Sequence, residues 1–263
     1  MAGKILLFIP MYNCAAQIGR TLGELTPEIQ QLFAEVVAID NRSTDDTIAN
    51  CRRAMQGING TAWTILRNDS NYSLGGSHKV AFQYAVRNGF DSVVVLHGDN
   101  QGSISDIVPL LQRNEQEQLD CLLGGRFMKD SQLINYSAFR TLGNRVFNLL
   151  FSILLRRRIF DLGAGLNLFG RRFLADDKYL ALPDALTFNY YLLVHIVVQG
   201  FTFRFFPIQW KEEDQVSNVK LFRQARQLLS LLGRLLLGGR RLMDSFKGPQ
   251  RVYSFEIVGR SDG

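Results

Sequence analysis

The residues best suited to chemistry in this 263-residue chain sit in short loops, and the densest of these closes the stretch "SVVVLHGDNQ", Ser92 to Gln101. An apolar run stops abruptly on His97, Gly98, Asp99, Asn100 and Gln101. A buried strand that ends on groups able to bind water, metal or phosphate places them together at a sheet edge. Asp99 and Gln101 stand two apart, so a turning backbone brings a carboxylate and an amide oxygen onto one hard cation, magnesium or manganese. Such a cation keeps positions open for a diphosphate and neutralises the charge that grows as a nucleotide diphosphate departs. A D-x-Q triplet alone is weak, because loops commonly contain it.

Three further loops strengthen it. Runs rich in Val, Ile and Leu at 4–9, 35–39, 61–66 and 92–96 alternate with stretches of helical spacing, which predicts a mostly parallel sheet covered on both faces by helices. Ligands of such sheets bind beyond the carboxyl ends of the strands. Waiting there are "PMYNC", "DNRSTDD", "NDSNYSLGGSHK" and "HGDNQ". Any one of them is explained by turns and caps, and "STDDT" reads as a helix start capped by Ser43 or Thr44. Asp40 precedes that cap at a strand tip. His78 and Lys79 follow Gly75 and Gly76 at the expected opening of a helix, where N–H groups and a cation suit phosphate. His195, in "YYLLVHIVVQG", reads as a core histidine.

In order and spacing, "IPMYNC", "AIDNRSTDDT", "NYSLGGSHKVAFQYAV", "VVVLHGDNQ" and "GGRFM" resemble family 2 glycosyltransferases, which have a GT-A fold. "FDLGAGLNLFGRRFL" and "FFPIQWKEEDQVSNVK" are similar to the branch of dolichyl-phosphate mannose synthases and other polyprenyl-phosphate hexosyltransferases. The resemblance spans 4–220 and implies an α/β, Rossmann-like GT-A sheet with basic amphipathic helices in the C-terminal half. It implies an inverting hexosyl transfer from a nucleoside-diphosphate sugar to a polyprenyl phosphate. Pro10, Tyr12 and Asp40 match positions around the nucleoside, and Lys79, His97 and Asp99 complete the expected donor set. Asp99 and Gln101 are the expected metal ligands. Arg126, Arg140 and Lys220 are expected at donor or acceptor phosphate, and Asp99, Arg126 and Lys220 are the expected catalytic groups. His97 stands where the family's acidic triplet usually begins with aspartate, Cys14 replaces a frequent acidic residue, and Glu212, Glu213 and Asp214 occupy a region that often carries arginine.

The chain has 46% hydrophobic and 21% charged residues, room for one large α/β domain. Cys14, Cys51 and Cys121 form neither a disulfide framework nor a zinc pattern. Pro10 interrupts the first apolar run, which reads as a strand rather than a signal peptide. The longest apolar run, "LLFSILL", is far short of a membrane span. A net charge of +6 suits a polyanion. The basic residues track the ends of two apolar helices, near 139–158 and from 221 to 243, without a nucleic-acid motif. Core packing or a leaflet interface would satisfy either helix, and the wide apolar arc and terminal arginines of the second favour the interface. The division expected is 1–220 for the catalytic domain, 221–243 for the interfacial or packing helix and 244–263 for a loose tail. The expected setting is cytoplasmic, peripheral on the inner membrane face. Two alternatives stay open: transfer to a saccharide or other hydroxyl, with Asp161 or one of Glu212, Glu213 and Asp214 as base, and a non-catalytic nucleotide- or membrane-surface-binding protein.

Overall fold

A computed structural model describes residues 3–214, 221–238, 246, 248–249 and 251–261. The strands are β1 (Ile5–Met11), β2 (Glu35–Asp40), β3 (Ala62–Asn68), β4 (Ser92–Leu96), β5 (Cys121–Gly125), β6 (Gln132–Ile134), β7 (Leu166–Gly170), β8 (Phe203–Pro207), β9 (Gln209–Lys211) and β10 (Phe255–Arg260). The helices are α1 (Ile18–Gly23), α2 (Pro27–Gln30), α3 (Thr47–Met55), α4 (Ser73–Arg87), α5 (Val108–Gln112), α6 (Ala138–Leu155), α7 (Arg171–Leu174), α8 (Phe188–Val198) and α9 (Leu221–Gly238). Eight of the strands form one sheet in the order β10-β3-β2-β1-β4-β7-β5-β8, and β6 pairs with β9 in a small parallel ribbon.

The four strands expected from the sequence are all present and mutually parallel. Their central residues are buried and mostly apolar because both faces are covered. Along β1, Leu6 and Phe8 join Val80 and Phe82 of α4 and Leu193 of α8, while Leu7 and Ile9 join Ile18 of α1 and Cys51 of α3. Two cores thus clamp one sheet and hold its carboxyl edge rigid. β7 then enters antiparallel between β4 and β5. That reversal carries Gly165 to the end of β4, where its carbonyl accepts from the His97 backbone N–H at 3.1 Å.

Within the stretch expected to be a loose tail, Phe255–Arg260 form β10, antiparallel to β3. The glycines and Pro249 that suggested a tail hid a strand whose residues are mostly half-buried or exposed, as an edge strand's are. The leucines of α9 divide between core and surface. Leu228, Leu231, Leu232 and Leu235 are buried, whereas Leu229, Leu236 and Leu237 are exposed.

Candidate active site

The turn after β4 owes its shape to Asn100, which adopts φ 58°, a left-handed conformation that asparagine tolerates better than most residues. The Asp99 carboxylate then accepts the Gln101 backbone N–H at 3.2 Å, and both residues are half-buried beyond the carboxyl end of β4. Gly98 allows a close approach: its N–H donates to the Pro10 carbonyl at 3.1 Å, and a Cβ there would lie 3.1 Å from that same oxygen. Asn100, which the sequence leaves without a role, thus has a backbone one. Burial pushes the Asp99 carboxyl up to about 6. Burial and the Arg126 guanidinium push the His97 imidazole down to about 4, so it is neutral at pH 7. Among the described residues no third His, Cys, Asp or Glu joins Asp99 to make a preformed metal cluster. One carboxylate and one amide oxygen fit magnesium or manganese only where water and substrate phosphates complete the shell.

Among the residues expected around a nucleoside, Pro10 is buried in β1 and Tyr12, just beyond it, is 41% exposed. Asp40 is fully buried, and its carboxylate accepts the backbone N–H groups of Arg42 at 3.1 Å and Ser43 at 3.2 Å. Ser43 therefore does not cap α3: its hydroxyl accepts the Asn13 N–H at 2.9 Å, and its own N–H is held by Asp40. Thr44 donates its N–H to Asn13 Oδ1, Asp45 accepts from Thr47, and α3 begins after Asp46 without a side-chain cap. These bonds stitch the loops after β1 and β2 into one wall.

On the opposite wall, Arg126 follows β5 and forks onto Asp161, with Nε to Oδ2 at 2.7 Å and Nη2 to Oδ1 at 2.8 Å. Its guanidinium also lies over the Trp210 ring at 5.0 Å. Arg140, in the first turn of α6, donates from Nη1 to both carboxylate oxygens of Glu212 at 2.6 and 2.8 Å and covers the Tyr136 ring at 4.6 Å. The Lys211 N–H donates to the Gln101 carbonyl at 2.9 Å, which brings this ion pair to the flank of the metal-ligand candidates. Asp214 is bound by Arg20 of α1 at 2.7 Å. Of the four carboxylates considered as bases, Asp161, Glu212 and Asp214 are each paired with an arginine, and Glu213 is the fourth. Lys220 lies outside the described residues.

Lys79 departs most from expectation. It is fully buried on α4, and its ammonium donates to Asp184 at 2.8 Å, to the Leu182 carbonyl and to Tyr253 Oη at 3.2 Å. Gly75 and Gly76 meet Phe188 and Tyr72 at distances no Cβ allows, so the pair serves packing rather than phosphate. His78 is likewise enclosed, its Nδ1–H donating to the Leu74 carbonyl at 2.9 Å. Lys79→Met is therefore expected to lower stability by about 1–3 kcal/mol in urea unfolding, since Asp184 keeps Tyr253 at 2.7 Å. Donor affinity is expected to stay within about twofold of wild type, and a selective loss of affinity would return Lys79 to the site. His195 is held by Asp176 at 2.9 Å, a core position as expected.

A mostly parallel sheet of this order, with polar loops gathered on one carboxyl edge, defines the class as a GT-A glycosyltransferase. The model of glycosyl transferase family 2 matches residues 7–176, and the chain belongs to that family. The undecaprenyl-phosphate mannosyltransferase of Micrococcus luteus is 24% identical over 164 residues, which cover 62% of this chain and 64% of that protein. This chain therefore matches a little under two thirds of that relative's length. Two solved structures share the fold. Staphylococcus aureus TarS 1–349 in complex with UDP-GlcNAc aligns with a TM-score of 0.56 at 14% identity, over 90% of this chain and 67% of that one. Glucosyl-3-phosphoglycerate synthase from Mycobacterium tuberculosis, in complex with phosphoglyceric acid, gives 0.57 at 14% identity, over 88% and 79%.

Proposed function

We propose that this glycosyltransferase moves a hexosyl group from a nucleoside-diphosphate sugar to a polyprenyl phosphate at a membrane surface. One observation carries the choice of acceptor. On α6, Phe139, Leu149 and Ile153 are 77, 60 and 67% exposed, and Leu142 and Val146 lie exposed along the same stripe. This stripe starts in the turn that holds Arg140, beside the loop bonded to Gln101. A lipid buried along such a stripe would carry its phosphate toward Arg140, and Arg145 and Arg156 to Arg158 would meet anionic headgroups. The relative named for undecaprenyl phosphate supports the same acceptor class. No helix among the described residues is long and apolar enough to cross a membrane, so attachment would be peripheral, on the cytoplasmic face where nucleotide sugars are found.

Asp99 and Gln101 would hold magnesium or manganese, whose chemistry there is to neutralise the departing diphosphate. An acceptor phosphate oxygen is already ionised near neutral pH, so its lone pair can attack the anomeric carbon, with inversion, as the bond to the diphosphate breaks. No general base is needed, in keeping with Asp161, Glu212 and Asp214 being tied to arginines. Positioning and charge complementarity carry the rate.

The test is nucleoside diphosphate release and lipid-linked sugar from a panel of nucleotide sugars, with magnesium or manganese, with and without polyprenyl phosphate. Release that requires the lipid supports the proposal. Turnover only on a saccharide acceptor, or nucleotide binding without turnover on any acceptor, would reject it. Separately, Leu142→Glu/Leu149→Glu is expected to abolish co-sedimentation with anionic vesicles and leave the melting temperature unchanged, because neither leucine packs in the core. Undiminished vesicle binding by that variant would remove α6 as the contact.

A further inference from the structure

Strand register sets four residues in one row across the carboxyl edge: Met11 opposite Asp40, Asp40 opposite Arg67, and Arg67 opposite Glu256. Paired residues on adjacent strands point to the same face, here the side covered by α1 and α3. Arg67 is about two strand spacings, roughly 10 Å, from the end of β1 where Tyr12 is exposed. Its Nε lies 3.8 Å from Asp40 Oδ2 and its Nη1 lies 3.8 Å from Glu256 Oε1, both beyond hydrogen-bond length. Nε is buried with no hydrogen-bond partner among the described residues. A buried guanidinium N–H without an acceptor is costly, and two carboxylates that attract without bonding leave its fork uncommitted. Asp40 is closed to solvent, whereas the Arg67 side chain is 35% exposed. Of that pair, Arg67 is the one a ligand can reach.

We infer that Arg67 is a specificity residue for the nucleobase, its planar fork donating to a base carbonyl, with Asp40 and the C-terminal strand residue Glu256 holding it in place. The inference rests on the donor being a nucleoside diphosphate. An arginine fork pairs with adjacent acceptors such as O6 and N7 of guanine, and in the same way it can meet a carbonyl of uracil. Adenine carries an amino group where guanine carries O6 and has no carbonyl, so it leaves the fork facing a donor. β10 thereby becomes part of the nucleoside end of the site, because Glu256 sets the far side of the guanidinium.

Calorimetric titration of the full chain with UDP, GDP, ADP and inorganic pyrophosphate, in magnesium, tests this. Wild type is expected to bind the better of UDP and GDP at least about tenfold more tightly than ADP. Arg67→Met is expected to weaken that nucleotide by about tenfold or more, with ADP and pyrophosphate unchanged. Arg67→Lys keeps the charge opposite Asp40, so a fold that survives there but shows the same loss assigns the effect to the fork. Unchanged affinity for the preferred nucleotide in Arg67→Met, or equal losses for nucleotide and pyrophosphate, overturns the inference while leaving the donor reading intact. Failure of wild type to bind any nucleoside diphosphate overturns both.

Discussion

Asp99→Asn is expected to reduce sugar transfer by about 10²–10³-fold, the cost of removing one charged contact from a developing anion in a preorganised site. Asparagine keeps the size and one oxygen, so the Gln101 N–H at 3.2 Å retains an acceptor. Stability is expected to move the other way. The Asp99 carboxyl is raised to about 6 by burial, so between pH ~4 and that value the folded chain holds a proton the unfolded chain has released. Where the folded state binds more protons, stability falls as pH rises, and the whole cost is present above the folded value. In the absence of metal and donor, Asp99→Asn should thus melt at or above wild type at pH 8 and converge with it near pH ~4. Thermal melts at both pH values, run beside the turnover assay, check this. A variant that is inactive and also less stable at pH 8 would mark Asp99 as structural.

Arg126→Met is expected to cost about 3–5 kcal/mol, the loss seen when one partner leaves a buried ion pair. Asp161 would keep the backbone N–H groups of Arg126 and Gly163, both at 3.0 Å, but would remain a buried anion without its cation. Against a total stability of about 5–15 kcal/mol for a protein domain, this loss is large enough to confuse any activity measurement. Arg126→Met/Asp161→Asn removes the charge and keeps an acceptor for one of the two backbone N–H groups, which donate to different carboxylate oxygens, so urea unfolding should show part of the stability restored. A double variant as unstable as the single one would place the defect in the stacking on Trp210 and the lost backbone contact rather than in the unpaired charge. Activity of the double variant then separates any phosphate role of Arg126 from its structural one.

The sheet was legible because its strands are short, apolar and rich in β-branched residues, and because the polar loops recur at their carboxyl ends. The place of Asp99 and Gln101 in the turn that ends β4 was legible for the same reason, as polar residues that close an apolar run. Lys79 was misplaced because helix position alone does not reveal a partner 105 residues away, and Asp184 carries no local signal. Arg67 lies just beyond the apolar run at 61–66 and carries no local signal. Its importance depends on register with β2 and β10, and pairing between strands so distant in the chain is a tertiary outcome. β10 itself was obscured by its glycine-rich surroundings, and its stability comes from an exposed edge of β3 rather than from its own composition.

That edge has a further consequence for the protein as a material. Without β10, β3 would present unpaired N–H and C=O groups along a seven-residue strand with an apolar centre, a template for edge-to-edge aggregation. β10 covers it and breaks the ladder with an irregularity between Ile257 and Gly259, which twists the new edge away from any incoming strand. A chain cut before Phe255 should therefore remain able to build its two cores yet precipitate on concentration, so an affinity tag that must be cleaved close to the fold belongs at the other end.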